Sequence, residues 1–239
     1  MALAYLSAVS RENGSEEKNV DRLEWLRNNT VPMRSIDPAD EDFSDLMPLK
    51  DRIGKARVVF LGEQSHGDGS TFLAKGRLIR FLHQVMGFDV LAWESGMYDC
   101  RQMEAALHST VPIEEATDQG IFRLWGWSTQ VRNVFEYART TYATTSPLEM
   151  AGFDIQFSTA SAPDRMQKEI LDFLEHVDPS LLSSEQKKVI QKDLNQFTEF
   201  RKMPPEQRQK FRFVQEANGE QVLEGVIEQL SRRESTRRR

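Results

Sequence analysis

Two short apolar runs flanking one amphipathic stretch restrict the folds open to this chain more than any other feature. ARVVFLG (56–62) and FDVLAWES (88–95) are rich in β-branched, aromatic and other apolar residues and have the length of buried strands. Between them TFLAKGRLIRFLHQVM (71–86) switches to helical periodicity. Phe72, Leu78, Leu82 and Val85 share one stripe there, and Gly87 ends the run. Parallel strands need a long crossover, and a helix is the usual one. Strand, helix and strand therefore predict a βαβ unit with helices packed on the sheet.

The remaining patterns extend that unit. SPLEMAGFDIQ (146–156) supplies a third strand, and helices are expected over 99–108 and 128–143. VDRLEWLRNNTVP, from Val20, fits an amphipathic helix with Asn19 as its cap. SIDPADEDFSDLMPLKDRIG (35–54) is an acidic, proline-punctuated connection with short helical pieces. Later residues are helical in pattern over 164–177 and 184–201, with DPS between them, and again over 206–230 after Pro204 and Pro205. The fold class is thus α/β, a partial parallel or mixed sheet with crossover helices, followed by a predominantly helical region. The expected divisions are a flexible N-terminus (1–19), an α/β core (20–157), a helical insertion or partial second region (158–230) and a basic tail (231–239).

Composition narrows the function classes. With 239 residues the chain can enclose a core, and its 39% hydrophobic and 28% charged content suits a soluble protein. One cysteine, Cys100, allows neither an internal disulfide nor a thiolate metal cluster. The opening residues show no basic segment followed by a long apolar run, so neither a signal peptide nor a membrane span is expected, and the location is cytoplasmic. SRRESTRRR (231–239) is basic but carries no aromatic residue, in a chain of net charge -6. It reads as a solvated end rather than a nucleic-acid contact. The sequence specifies no protein partner and no oligomeric state.

In open parallel sheets ligands meet the loops beyond the carboxyl ends of the strands. Glu63 and His66 follow the first run, Glu94 ends the second, and Asp154 stands near the end of the third. The first turn, GEQSHGDGS (62–70), permits tight backbone geometry through its glycines, while Ser65, Ser70 and Thr71 offer turn and cap interactions. It matches neither the phosphate-loop spacing nor GxGxxG, and Glu63 and Asp68 oppose phosphate. The serine spacing is also wrong for a hydrolase elbow.

A water-based mechanism fits the residues better. An ordinary imidazole titrates near neutral pH, so His66 can take a proton from water. Glu63 or Glu94 can fix its tautomer or act as a proton donor. Lys75 can neutralise the acidic pocket or stabilise an oxyanion, and Arg77 suits an ordinary ion pair. No cofactor is required, although a divalent metal at Glu63, His66 and Glu94 is an alternative. LWGWS (124–128) places Trp125 and Trp127 either on a substrate surface or as anchors of the next helix. The other histidines, His83, His108 and His176, are expected to be structural.

Taken together, ARVVFLGEQSHG, KGRLIRFLHQVMGFDVLAWESG and MAGFDIQ resemble the erythromycin esterase-like family, and WLRNNTVPMRSIDP and DFSDLMPLK resemble its approach to the first strand. The resemblance is strongest over about 20–157, the N-terminal part, and weaker in the helical remainder. It implies a hydrolase that adds water to a carboxylic ester or macrolactone, with antibiotic resistance as a biological outcome and a small organic ester or macrolide-like molecule as substrate. It implies active-site roles for Glu63 and His66 and aligns Lys75 with the basic position of the next helix, Glu94 with the acidic segment after the strand and Asp154 with the GFD segment; Lys75 and Glu94 are the further catalytic candidates and Asp154 a substrate-binding one. Lys75 stands where the family usually has arginine, which loses the planar guanidinium fork. A later histidine motif, HNxH after an apolar strand, is absent. The resemblance therefore leaves two expectations: an active hydrolase, or a truncated, inactive homologue that binds a small organic ligand.

Overall fold

The computed structural model describes residues 16–63, 65–177, 180–211 and 219–237. Helix α1 covers Glu16–Asn29, so the expected flexible N-terminus is helical from residue 16, while residues 1–15 lie outside the described ones. A short 3-10 turn at Ser44–Leu46 leads into α2, Met47–Ile53, the helical pieces expected in the acidic connection. Gly54 ends α2 at a positive φ of 56°, a conformation that costs an L side chain dearly.

Helix α3, Gly69–Met86, is the long crossover of the sequence pattern. Asp68 caps it, accepting from the Ser70 and Thr71 amides and from the Thr71 hydroxyl, and Gly87 closes it in the left-handed region. Strand β1 follows at Val90–Gly96, then α4 (Met97–Leu107), α5 (Ile113–Asp118), α6 (Arg123–Gly126) and α7 (Thr129–Thr141). Strand β2, Glu149–Asp154, pairs in parallel with β1, aligning Val90 with Glu149 and Trp93 with Gly152. The register slips between Trp93 and Gly96. A Cβ on Gly152 would meet the Ser95 and Gly96 carbonyls at 2.5 and 2.6 Å, so the irregularity requires glycine opposite it.

The helical region is α8 (Ala162–Val177), α9 (Ser184–Lys202), the short α10 (Pro205–Arg208) and α11 (Gly219–Arg237). Ser183 and Gln186 form a capping box at the start of α9. Leu174, Leu181, Leu182, Ile190 and Val226 make a separate small core there. The expected helix over 206–230 is thus interrupted, and α11 carries on into the basic tail as far as Arg237. No helix among the described residues is long and apolar enough to cross a membrane.

One expected strand is not formed. Residues 56–62 are extended but make no backbone hydrogen bond from position 57 onward with any other described residue. Val58 and Phe60 point outward, Phe60 being 90% exposed, while Val59 and Leu61 pack inward. The alternation is that of a strand, and the ladder that would make it one is missing. The sheet among the described residues is therefore two-stranded.

Two cores hold the α/β part. Phe72, Cys100, Met103, Ile121, Phe135 and Met150, with neighbours, join α3, α4, α7 and β2. Phe43, Leu46, Leu78, Phe81 and Leu82 join α3 to the N-terminal segment. Beside the second core lies Arg77, fully buried. Its guanidinium grips Asp45 through two bonds of 2.8 and 2.6 Å and also donates to the carbonyls of Ser35, Asp40 and Asp42. The Arg34 amide donates to the same Asp45 carboxylate at 2.7 Å.

The hydrogen bond from Arg77 is the main force holding the Asp45 carboxyl down at about 2, against the opposing effect of burial. Since this lies below the unfolded value near 3.9, the stabilisation is complete above about pH 5 and is lost as pH falls towards 2. Asp45→Asn is expected to cost about 3 kcal/mol near neutral pH by leaving Arg77 buried without its counter-charge. It should also flatten the acid limb, removing a loss of roughly 2 kcal/mol that the parent protein undergoes on acidification. Urea unfolding from pH 7 down to pH 2 measures both effects.

Candidate functional site

The residues singled out at the first turn are brought together. Glu63 ends the extended run, and the turn after it returns His66 to the Glu63 side chain. The His66 Nδ1–H donates to Glu63 Oε1 at 2.5 Å. The second carboxylate oxygen, Oε2, accepts from Lys75 Nζ at 2.9 Å, one and a half turns into α3. Glu63 thus bridges an imidazole and an ammonium, with one oxygen for each. With Nδ1 occupied in this way, the neutral ring presents Nε2 as its lone-pair nitrogen.

Burial acts to raise the Glu63 pKa, but the hydrogen bonds and charges of Lys75 and His66 together outweigh it, and the carboxyl lies below its ordinary value. Glu63 is consequently an anion at neutral pH. His66 is half exposed, and its ring meets the Trp125 indole edge to face at 5.7 Å between centroids.

Beyond this trio lies a cavity of about 530 Å³. Glu63, Lys75 and Glu94 supply acidic and basic groups to its lining, and Phe72, Trp93 and Trp125 supply aromatic surface. Trp93 stacks on Phe135 and donates its Nε1–H to Met150 Sδ, so the aromatic wall is rigidly backed. Glu94 is exposed on β1, and its side chain makes no hydrogen bond or ion pair among the described residues. It faces the same cavity without joining the Glu63 bridge.

The other expected site residues are placed differently. Trp125 is buried in the cavity wall, whereas Trp127 is 64% exposed outside it, donating to Asp118 and stacked under the Arg123 guanidinium. Asp154 ends β2 and accepts from the backbone and side chain of Gln156, and it does not line the cavity. His83 donates to the Ser146 carbonyl and accepts from the Tyr137 hydroxyl, a structural use of both nitrogens on the cavity wall. His108 pairs with Glu104, and His176 donates to the Asp172 carbonyl. The buried Cys100 thiol is pushed up to about 12 by burial, with Asp99 adding to the effect, which leaves it protonated and unreactive.

The residues do not assemble into the alternative metal site. Among the described residues no group of three or more His, Cys, Asp and Glu side chains is placed to hold an ion. Both oxygens of Glu63 already have partners, and Glu94 stands apart from them. Two features of the site escaped sequence reasoning: the His66–Trp125 contact, which joins residues far apart in the chain, and Asp68 as the cap of α3. The run Asp68-Gly-Ser-Thr contained a signal for the second, since a carboxylate followed by two polar residues in a first turn is a cap pattern.

Lys75→Met is expected to raise the Glu63 pKa, because it removes the strongest opponent of burial and leaves the desolvation in place. Carbon-detected NMR titration of the Glu63 carboxyl reads the shift directly. The sign for stability follows. In the parent the depressed value contributes above the unfolded pKa and is lost as pH falls through the folded one, and the variant should show a weaker acid-dependent loss.

Comparison with known proteins places residues 83–239 in a family, a stretch that holds Trp93, Glu94 and Trp125 and begins after Glu63, His66 and Lys75. A model of the family described as erythromycin esterase matches residues 83–239, about two thirds of the chain. The match is not confined to the N-terminal part, as the motifs had suggested: it begins within α3 and runs through β1, β2 and the whole helical region. Putative hydrolase YbfO of Bacillus subtilis is 33% identical over 156 residues, 65% of this chain and 33% of that protein. Erythromycin esterase type II of Escherichia coli is 33% identical over 100 residues, 42% of this chain and 22% of its own length. A crystal structure of a Bacillus cereus protein superimposes with a TM-score of 0.68 at 20% identity, covering 90% of this chain and 50% of the other. That of a succinoglycan biosynthesis protein gives 0.63 at 21% identity, covering 84% and 50%. At such identities the two structures speak for the fold. The chain thus spans a third or less of the curated relatives and half of each solved one, and over the matched residues it belongs to the erythromycin esterase family.

Proposed function

We propose that the chain carries the water-activating part of a carboxylic ester hydrolase. The observation that supports this reading is the Glu63 carboxylate shared between His66 and Lys75 at an aromatic-walled cavity. His66 Nε2 takes a proton from water as the hydroxyl oxygen bonds to the ester carbonyl carbon. The tetrahedral intermediate collapses with cleavage of the carbon–oxygen bond to the alcohol, and the imidazolium returns its proton to that oxygen. Acid and alcohol leave, and the enzyme is unchanged. Glu63 keeps the ring in the tautomer that exposes Nε2 and stabilises the positive ring that forms in between, as anionic partners of catalytic imidazoles do.

Lys75 has two roles in this scheme. Its bond to Glu63 keeps that carboxylate charged and in place, and its remaining N–H bonds can donate to negative charge developing on the substrate. Glu94, whose side chain has no partner among the described residues, is the second carboxylate of the site and orients water or a substrate hydroxyl. Trp125 provides an apolar face for the organic part of the substrate. Family membership and the name of the E. coli relative make a macrolide-like ester or lactone the first substrate to try. Asp154 and Trp127 lie outside the cavity and would touch only a substrate large enough to extend past its rim.

A second reading, ligand binding without turnover, is favoured by the match to only half of each solved relative, since a group required for chemistry can lie in the other half. The two readings separate in one assay on the purified protein with p-nitrophenyl butyrate and erythromycin. The hydrolase reading expects p-nitrophenolate release or addition of water to erythromycin, with Glu63→Gln and His66→Ala each reducing kcat ~10²- to 10⁴-fold in folded protein. Equal turnover in parent and variants would refute the assignment. Erythromycin binding by calorimetry with no product would favour the second reading.

A further inference from the structure

A second cleft, of about 380 Å³, opens between α8 and α9. The ends of these helices nearest their connection are held by the Lys187–Glu175 ion pair at 2.6 Å and by the core around Leu174 and Ile190. Away from that connection, α8 lines the cleft with Asp164, Gln167, Lys168, Leu171 and Asp172, and α9 lines it with Gln191 and Asn195. Positions spaced three or four apart form one face of each helix. Gln167 is only 8% exposed, yet its carboxamide makes no hydrogen bond with any described residue. Gln191 and Asn195, exposed on the facing wall, likewise have no partner among the described residues. Each carboxamide carries an acceptor oxygen and two N–H donors. A nearly buried amide left unpaired is costly, and native interiors rarely contain one.

The lining discriminates among ligand classes. Leu171 is its one apolar side chain among the described residues, so a hydrophobic molecule gains little there. Asp172 is balanced by Lys168 at 2.6 Å, and Asp164 adds a further carboxylate, which opposes an anion such as phosphate. Among the described residues no three acidic, histidine or cysteine side chains stand close enough to hold a metal ion. Both walls are helices whose backbone groups are already bonded, so an extended peptide finds no edge to pair with. A neutral molecule with several hydroxyls meets none of these obstacles. Each hydroxyl is donor and acceptor at once, and one carboxamide can accept from one hydroxyl while donating to its neighbour. The volume also falls in the range of ligand pockets, about 300–1,000 Å³.

We propose that the α8–α9 cleft is a saccharide-binding site that seats one neutral pyranose unit. Gln167 pairs with two adjacent ring hydroxyls, donating from Nε2 and accepting at Oε1, while Gln191 and Asn195 reach the ring from the facing wall. Asp164 and Asp172 accept from further hydroxyls, and Leu171 meets the C–H face of the ring. No bond is made or broken there. The cleft shares no lining residue with the cavity at Glu63 and does not depend on the proposed hydrolysis.

The test is proton–nitrogen NMR of the side-chain amides during titration with three neutral glycosides: methyl β-D-glucopyranoside, methyl α-D-mannopyranoside and methyl β-D-galactopyranoside. These differ in whether neighbouring hydroxyls are cis or trans. At least one should shift the Gln167, Gln191 and Asn195 signals saturably with a Kd of about 1–10 mM, the range that a few net hydrogen bonds supply. The His66 ring signals should not move. Gln167→Leu keeps a helix-favouring residue of similar size and removes both polar ends, so it should retain the parent circular dichroism and bind ~10-fold or more weakly. Asn195→Ala, on the exposed wall, should weaken binding without touching the interior. Three results would overturn the proposal: no saturable shift with any of the three glycosides up to ~50 mM, equal shifts with cyclohexanol, a ring with a single hydroxyl, or undiminished binding by the folded variants.

Discussion

The Arg77 fork sets the position of the segment that leads towards Glu63. Buried inside the junction, it binds one carboxylate and three carbonyls from residues 35–45, so a stretch with little regular structure is fastened to the middle of α3. That attachment fixes where α2 ends and where the extended run begins, and so where Glu63 arrives. Arg77 and Lys75 are two residues apart on the helix, which turns them to different sides. One guanidinium grips the N-terminal segment while the nearby ammonium holds the carboxylate that the segment delivers. A single helix thus relates a buried ion pair in the N-terminal junction to a second one at the cavity.

The chemical pair owes its character to partial burial. Glu63 is shielded enough for desolvation to oppose its charge, yet two cationic or hydrogen-donating neighbours keep it ionised. A fully exposed carboxylate would hold His66 weakly through water, and a fully buried one without Lys75 would protonate and lose its hold on the imidazolium. The Trp125 face limits the ring on another side. Lysine suffices in this arrangement because Glu63 offers it one oxygen, a contact that does not use the planar fork of arginine.

Periodicity revealed α3, β1 and β2 because each is decided by local pattern and by burial on neighbouring elements. The same reasoning made 56–62 a strand, and its side chains do alternate in the expected way. A strand, however, is a relation between two backbones, and no residue within the run encodes whether a second backbone lies alongside. The Glu63–His66 contact was legible because three residues and a tight turn separate the two. The bond from Lys75 was legible only as a type of charge, since its partner is twelve positions away and depends on how α3 is set. Trp125 offered no way to choose between packing and substrate contact, and the structure gives it both a buried place and a face on the cavity. Motif order pointed to the N-terminal part of the family, whereas the match extends through α11, because loosely patterned helices carry family likeness that short motifs do not reveal.

The register slip in β1 separates two duties that neighbouring residues would otherwise share. Ser95 is wholly buried and accepts the Phe122 amide at the start of α6, the turn that carries Trp125, while the Glu94 side chain beside it faces the cavity without a partner among the described residues. Position 95 therefore answers to architecture while position 94, joined to it by one peptide bond, is turned to the cavity. A lineage built on this frame can exchange the residue at 94, and so the chemistry of the cavity lining, while the serine keeps the aromatic wall in place, so that change at one position leaves the packing at its neighbour undisturbed.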